Sequence, residues 1–202
     1  SDHYLPIGLT SVLPKKPFSY SISIVDKIDT LVGFFIIDEK PTSSKDPFAL
    51  RRAAIGLLRI IIENKLSFKL RDLISYAIRL YQEQGVEIKN EKTEQQVLEF
   101  IKERMRNVLK LKNIKTDVIE ASISSHAGDN FLALYAKTLL MNKYKNKGIG
   151  LNAINSYKRA SNILDKAGKR ITGRPDAVLF RKDEEKILHE KINEIRKAFT
   201  VK

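Results

Sequence analysis

The residues of this chain best suited to chemistry are cations recurring at helical spacing. Lys102, Arg106 and Lys110 stand four apart, which puts them on one face of a helix. Lys158, Asn162 and Lys169 form a second outward row, with Arg159 and Lys166 flanking it. The stretches between add Lys143, Lys145, Lys147, Arg170 and Arg174. Fixed cations on outward faces neutralise phosphates and release counterions, so the pattern points to a polyanion such as RNA. Phosphate contacts position an RNA, whereas reading it needs flat side chains for stacking and amides for base edges. Tyr144, inside the lysine-rich run, and Asn162 are of those types. For any single residue the competing reading is a solvated charged face.

The charge is unevenly distributed. Residues 1–100 carry 14 Lys+Arg and 13 Asp+Glu, while residues 101–202 carry 23 and 11, so nearly all of the net +13 lies in the second half. A general lysine bias would not leave the first half neutral, so the asymmetry favours binding.

Signals for covalent chemistry are missing. There is no Gly-rich phosphate loop, no cysteine, and no serine with a recognisable base partner. Of the three histidines, His126 precedes Ala127-Gly128 and reads as a helix-end residue, where a cation suits the helix dipole. His189 falls on the solvent side of the last helical pattern.

The elements that position the cations all read as helices. Apolar residues at 3.6-residue spacing predict helices over 18–37, 47–63 and 69–83. Ile24, Val25, Ile28, Leu31, Val32 and Phe35 face inward in the first, and Leu50, Ala54, Leu57, Leu58 and Ile61 in the second. Asp46-Pro47 reads as a helix start, with Asp46 accepting from free backbone N–H groups and Pro47 at the first helical position. Gly85 and the polar stretch to Lys92 read as a boundary. Thr93 to Gln96 reads as a capping box opening a helix that buries Val97, Ile101, Met105, Val108 and Leu109. Shorter helices are expected near 117–126 and 130–142, then a basic loop from Asn142 to Gly150. A helix over 152–166 turns Ala153, Ile154, Tyr157, Ala160, Ser161 and Leu164 inward and stops at Gly168. The last helix carries Leu188, Ile192, Ile195 and Phe199 inward.

The apolar fraction of 43% supplies a core for one large domain or two small ones. Lack of cysteine removes disulfide scaffolds and thiolate metal sites and fits a reducing cytoplasm. No apolar run reaches membrane length and no secretory leader is recognisable, so a cytoplasmic protein with no membrane partner is expected. The chain begins Ser1-Asp2-His3-Tyr4 and reads as a piece of something longer.

Two blocks carry a resemblance. Asp26-Lys27-Ile28-Asp29-Thr30-Leu31-Val32-Gly33-Phe34-Phe35 is similar to ADKLDTLVG(F/I)F, and Pro41 to Ala54 is similar to PTGSKDPFALRRAA, with Ser43 in place of a Gly. Both motifs, their order and their spacing resemble the beta chain of the bacterial two-subunit glycyl-tRNA synthetase. In the second half Phe100 with Arg104-Met105, Lys158-Arg159 with Asn162-Ile163-Leu164, and Leu179-Phe180 with Glu185 and Leu188 resemble later motifs of that family. The resemblance implies an all-α chain of helical bundle modules. Residues 1–90 would be the later part of an HD-like helical domain. Residues 91–202 would begin an anticodon-binding helical domain of the arginyl-tRNA-synthetase kind.

The resemblance implies a role beside glycine tRNA and an alpha subunit in an alpha2beta2 ligase. ATP and Mg would be used by the alpha subunit, with no cofactor held by this piece. The expected tRNA-binding residues are Lys102, Arg106, Lys110, Lys158, Arg159, Asn162 and Lys169, with no catalytic residue and no metal ligand. Asp26 sits where Asp26 to Thr30 resembles the later Asp segment of HD phosphohydrolases, but the chain has no His-Asp dipeptide and only His3 as a companion. A degenerate phosphohydrolase and a purely structural subunit interface are the alternatives.

Overall fold

The computed structural model describes residues 11–42, 45–125, 128–145, 147–166 and 175–200. They form α1 (Pro17–Ile36), α2 (Leu50–Glu63), α3 (Leu70–Glu83), α4 (Thr93–Leu111), α5 (Thr116–Ser124), α6 (Phe131–Lys145), α7 (Gly148–Lys166) and α8 (Asp183–Thr200), with one 3₁₀ turn at Ala177–Leu179. No strand occurs among the described residues, and the fold class is all-α, as the periodicity predicts.

The chain divides into two compact units, 1–151 and 152–202, with α7 running through the division. In the first unit α1 packs on α2, α3 and α4, α2 on α4 and α6, and α5 on α4 and α6. The expected stripes close this core: Leu31, Leu57, Leu58, Ile101, Met105 and Leu109 are all fully buried. Burying each such side chain stabilises the fold by roughly 1.5–3 kcal/mol. Val25, expected inward, is instead exposed. Buried Lys27 takes up part of the inner face of α1, donating to Ser23 Oγ at 2.9 Å.

Helix starts depart from the sequence reading where side chains find other partners. Asp46 does accept backbone N–H groups, from Leu50 at 2.8 Å and Arg51 at 3.1 Å. However, α2 begins at Leu50, not Pro47. Phe48 is turned to stack on Phe34, centroids 4.0 Å apart, and Ala49 sits at φ 56°, the left-handed region, so the helical run cannot pass through it. The capping box at Thr93 does not form either. The Thr93 hydroxyl donates to Asn90 O at 2.6 Å, and Gln96 Oε1 accepts from the Asn90 side-chain amide at 3.1 Å.

The same asparagine ties the polar stretch 85–92 to α1. Asn90 Nδ2 also donates to Phe35 O at 3.2 Å, and Lys89 N to Ile36 O at 3.2 Å, so the segment is tied to the end of α1. Beyond it α4 packs on α1, α2 and α3. The basic loop expected over 142–150 is much shorter. Helix α6 continues to Lys145 and α7 starts at Gly148. Lysine is a good helix former, and Lys143 and Lys145 suit the negative end of the α6 dipole.

In the second unit Asp176 accepts from Val178 N at 3.0 Å to close the 3₁₀ turn. Glu185 accepts from Arg181 N at 2.8 Å and Lys182 N at 3.1 Å, which satisfies two backbone donors just ahead of α8. These two bonds hold its carboxyl below the usual glutamate value. His189 is half-buried with its ring edge-on to Phe180, centroids 5.2 Å apart, so it does not point wholly to solvent. The expected inward stripes of this part are a correction. Ala153, Ile154, Tyr157, Ala160 and Leu164 on α7, and Leu188, Ile192 and Ile195 on α8, are exposed, and only Ser161 is half-buried. Gly168 and the Phe199 side chain lie outside the described residues.

Candidate nucleic-acid interface

The cations expected to meet RNA fall into two kinds. Two of the three on α4 are already paired. Lys102 Nζ lies 2.9 Å from Glu99 on the same helix. Arg106 donates from Nε to Glu120 Oε1 at 3.0 Å, from Nη2 to Glu120 Oε2 at 3.2 Å, and from Nη1 to Glu103 Oε2 at 2.7 Å. This fork joins α4 to α5, and it holds the Glu120 carboxyl below its ordinary value while raising that of the Arg106 guanidinium. Lys110 is exposed, one turn further along α4. The shared helix face is therefore real, but its middle member serves as a clip inside the first unit.

Tyr144, near the end of α6, is nearly half exposed at 47%. Lys143 Nζ lies 5.8 Å and Lys147 Nζ 5.5 Å from its ring centroid. A flat exposed ring between two ammonium groups has the elements that stack a base and hold its flanking phosphate. Lys145, in contrast, is ion-paired with Asp117 of α5, which depresses the Asp117 carboxyl.

On α7, Lys158, Arg159 and Asn162 are all exposed. Lys158 and Asn162 lie one turn apart on one face, with Arg159 about 100° round the helix. Neither cation has an ion pair among the described residues. Lys169, Arg170 and Arg174 lie outside the described residues.

Among the described residues no three His, Cys, Asp or Glu side chains gather. Asp26 is exposed, and its backbone carbonyl accepts from Thr30 Oγ1 at 2.8 Å. No described helix is long and apolar enough to cross a membrane.

The described residues thus define an all-helical protein that carries exposed cations on several helices, among them Lys110 of α4, Lys143 of α6 and Lys158 and Arg159 of α7. Residues 1–124 match the model of the family described as glycyl-tRNA synthetase beta subunit. A glycine–tRNA ligase beta subunit from Rickettsia canadensis (strain McKiel) is 39% identical over 187 residues, covering 93% of this chain and 26% of the relative. Those of Rhodospirillum centenum (strain ATCC 51521 / SW) and Ruegeria sp. (strain TM1040) are 36% and 34% identical, covering 89% and 83% of the chain and 24% and 23% of themselves. The chain belongs to the glycyl-tRNA synthetase beta subunit family, and it spans about a quarter of the length of these curated relatives.

Proposed function

We propose that this chain is a tRNA-binding part of a glycine–tRNA ligase beta subunit and supports attachment of glycine to its tRNA in the cytoplasm. The observation that carries the reading is the exposed Lys158 and Arg159 pair on α7, free of carboxylate partners among the described residues, in a chain of this family. Unpaired exposed cations keep their full charge for phosphate, whereas Lys102 and Arg106 must first give up a carboxylate. Lys110, Asn162 and Lys169 complete the proposed set. Glycine activation, with its ATP and Mg, belongs to a separate alpha subunit in an alpha2beta2 assembly. In family terms residues 1–90 are HD-like and 91–202 are of the anticodon-binding type.

A shift assay with glycine tRNA and an unrelated tRNA tests the reading. Retardation of glycine tRNA that weakens as salt rises is expected. Failure to retard either RNA at low salt would defeat it. A second reading, an interface to the alpha subunit, draws on the apolar α8 stripe of Leu188, Ile192 and Ile195. In the same experiment it appears as alpha-subunit binding with no RNA retardation.

A further inference from the structure

The turn from α6 to α7 lies within the first unit, and its main chain is fixed from several sides. Lys147 N donates to Tyr144 O at 3.0 Å, and Leu151 N donates to Lys147 O at 2.9 Å. Gly150 presses on the same tyrosine carbonyl. A β-carbon added there would stand 2.0 Å from Tyr144 O and 2.8 Å from its carbonyl carbon. Those atoms are backbone and cannot swing aside, so the close approach requires glycine. The ion pair of Lys145 with Asp117 ties the end of α6 to α5. Tyr144 and Lys147 are thus set beside each other by the main chain.

Around this turn three side chains have groups to spare. The Tyr144 ring is exposed. Lys143 and Lys147 are exposed too, and neither has an ion pair among the described residues. Their ammonium groups stand 5.8 and 5.5 Å from the ring centroid. That is near the outer limit of cation–π attraction, about 6 Å, so either can turn to a stronger anion at little loss. An acidic peptide would satisfy the cations but leave the ring uncovered. A duplex offers phosphates, but its bases stay stacked on one another. A nucleotide in single-stranded RNA offers a flat face and a phosphate on either side of it.

We propose that the α6–α7 turn holds one unstacked nucleotide of RNA, its base on Tyr144 and its two flanking phosphates on Lys143 and Lys147. The site rests on the tRNA-binding reading above and deepens it, but it uses none of the residues named there. Stacking tolerates every base, so this turn selects an unpaired base and not a sequence.

The test measures affinity of the full chain, across a salt series, for glycine tRNA, a short single-stranded RNA of mixed sequence and a blunt RNA duplex of the same length. Tyr144→Ala is expected to bind the tRNA and the single strand about tenfold less tightly. Its log–log salt slope should match wild type, because no phosphate contact is lost, and its affinity for the duplex should not change. Tyr144→Phe keeps the ring and should bind as wild type does. Lys143→Gln combined with Lys147→Gln should flatten the slope by about one to one and a half. If Tyr144→Ala fails to fold, Tyr144→Leu, which keeps apolar bulk without a flat face, carries the test with the same expectation. Wild-type affinity in the folded Ala or Leu variant, or an equal loss on the duplex, would overturn this site alone. Loss of alpha-subunit association with RNA affinity intact would also overturn it, by assigning the turn to a protein partner. A wild-type chain that binds none of the three RNAs at low salt would overturn the broader reading and this site with it.

Discussion

A β-carbon added to Gly33 of α1 would stand 2.6 Å from the hydroxyl of Tyr81 on α3 and 3.1 Å from its ring carbon Cζ. The tyrosine therefore packs where only glycine leaves room. In an unobstructed helix Gly→Ala stabilises by roughly 1 kcal/mol. Here Gly33→Ala should destabilise by about 1–2 kcal/mol, because the ring must leave its seat. Tyr81→Phe removes the nearest atom, so the double variant should lose less than the two single variants summed, by at least about 0.5 kcal/mol. Chemical denaturation of the four proteins checks this, and strict additivity would reject the contact.

Tyr81 also gives the fold a pH dependence. Burial first, then hydrogen bonding and charge from Asp29, push its pKa from 10.0 to about 12. The folded chain thus holds a proton that the unfolded chain has released, so stability falls as pH rises from about 10 to about 12. Tyr81→Phe should be flatter over that window, with no change in slope below it. Equal slopes in the two proteins would show that the hydroxyl is not shielded.

The sequence made much of this first unit legible, and the reason is periodicity. Leu50, Ala54, Leu57, Leu58 and Ile61 repeat on one face of α2, and all are buried. Periodicity names the apolar face of a helix but not whether anything in the chain covers it. That is why the equally regular stripe of Ile154, Tyr157 and Leu164 on α7 was expected inward and is exposed. Nor does it detect a polar residue placed within an apolar face, as Lys27 is. The candidate site divides the same way. Four-residue spacing puts Lys102, Arg106 and Lys110 on one face, but the carboxylate that engages Arg106 is Glu120, fourteen residues on and on another helix. Local spacing carries no trace of it. Phe100 and Arg104 were visible only as part of a motif, since the guanidinium's seat over the ring, 4.7 Å from its centroid, exists only once α4 is folded.

Lys27 is 5% exposed, and burial lowers its pKa against the raising effect of Asp26. Replacing it with methionine, close in length and apolar, should stabilise the fold by about 1–2 kcal/mol at neutral pH. The folded lysine sheds its proton before the unfolded one, whose pKa is near 10.5. The charge penalty in wild type therefore fades as pH rises through the lowered folded value, and the advantage of Lys27→Met should shrink toward pH 10.5. A methionine variant less stable than wild type at pH 7 would mean that the ammonium is better satisfied than its burial indicates.

The last prediction separates the two kinds of cation on the proposed RNA surface. Lys158 and Arg159 are exposed and unpaired among the described residues, whereas Lys102 is tied to Glu99 and Arg106 to Glu120 and Glu103. Binding through a paired cation must break an ion pair before it gains a phosphate, so its net gain is smaller. If about five phosphates are neutralised in single-stranded or loop regions, the log–log salt slope for glycine tRNA should be near −3 to −4. The double variant Lys158→Ala, Arg159→Ala should flatten it by about one to two and lower affinity, with folding nearly unchanged because exposed sites seldom shift stability by more than about 0.5 kcal/mol. Arg106→Ala should do the reverse, leaving the slope within about 0.5 of wild type while lowering the melting temperature by about 1–3 °C through loss of the α4–α5 clip. Should Arg106→Ala instead match the α7 double variant in slope with no fall in melting temperature, the guanidinium serves RNA in preference to Glu120, and the division of labour argued from its ion pairs is wrong.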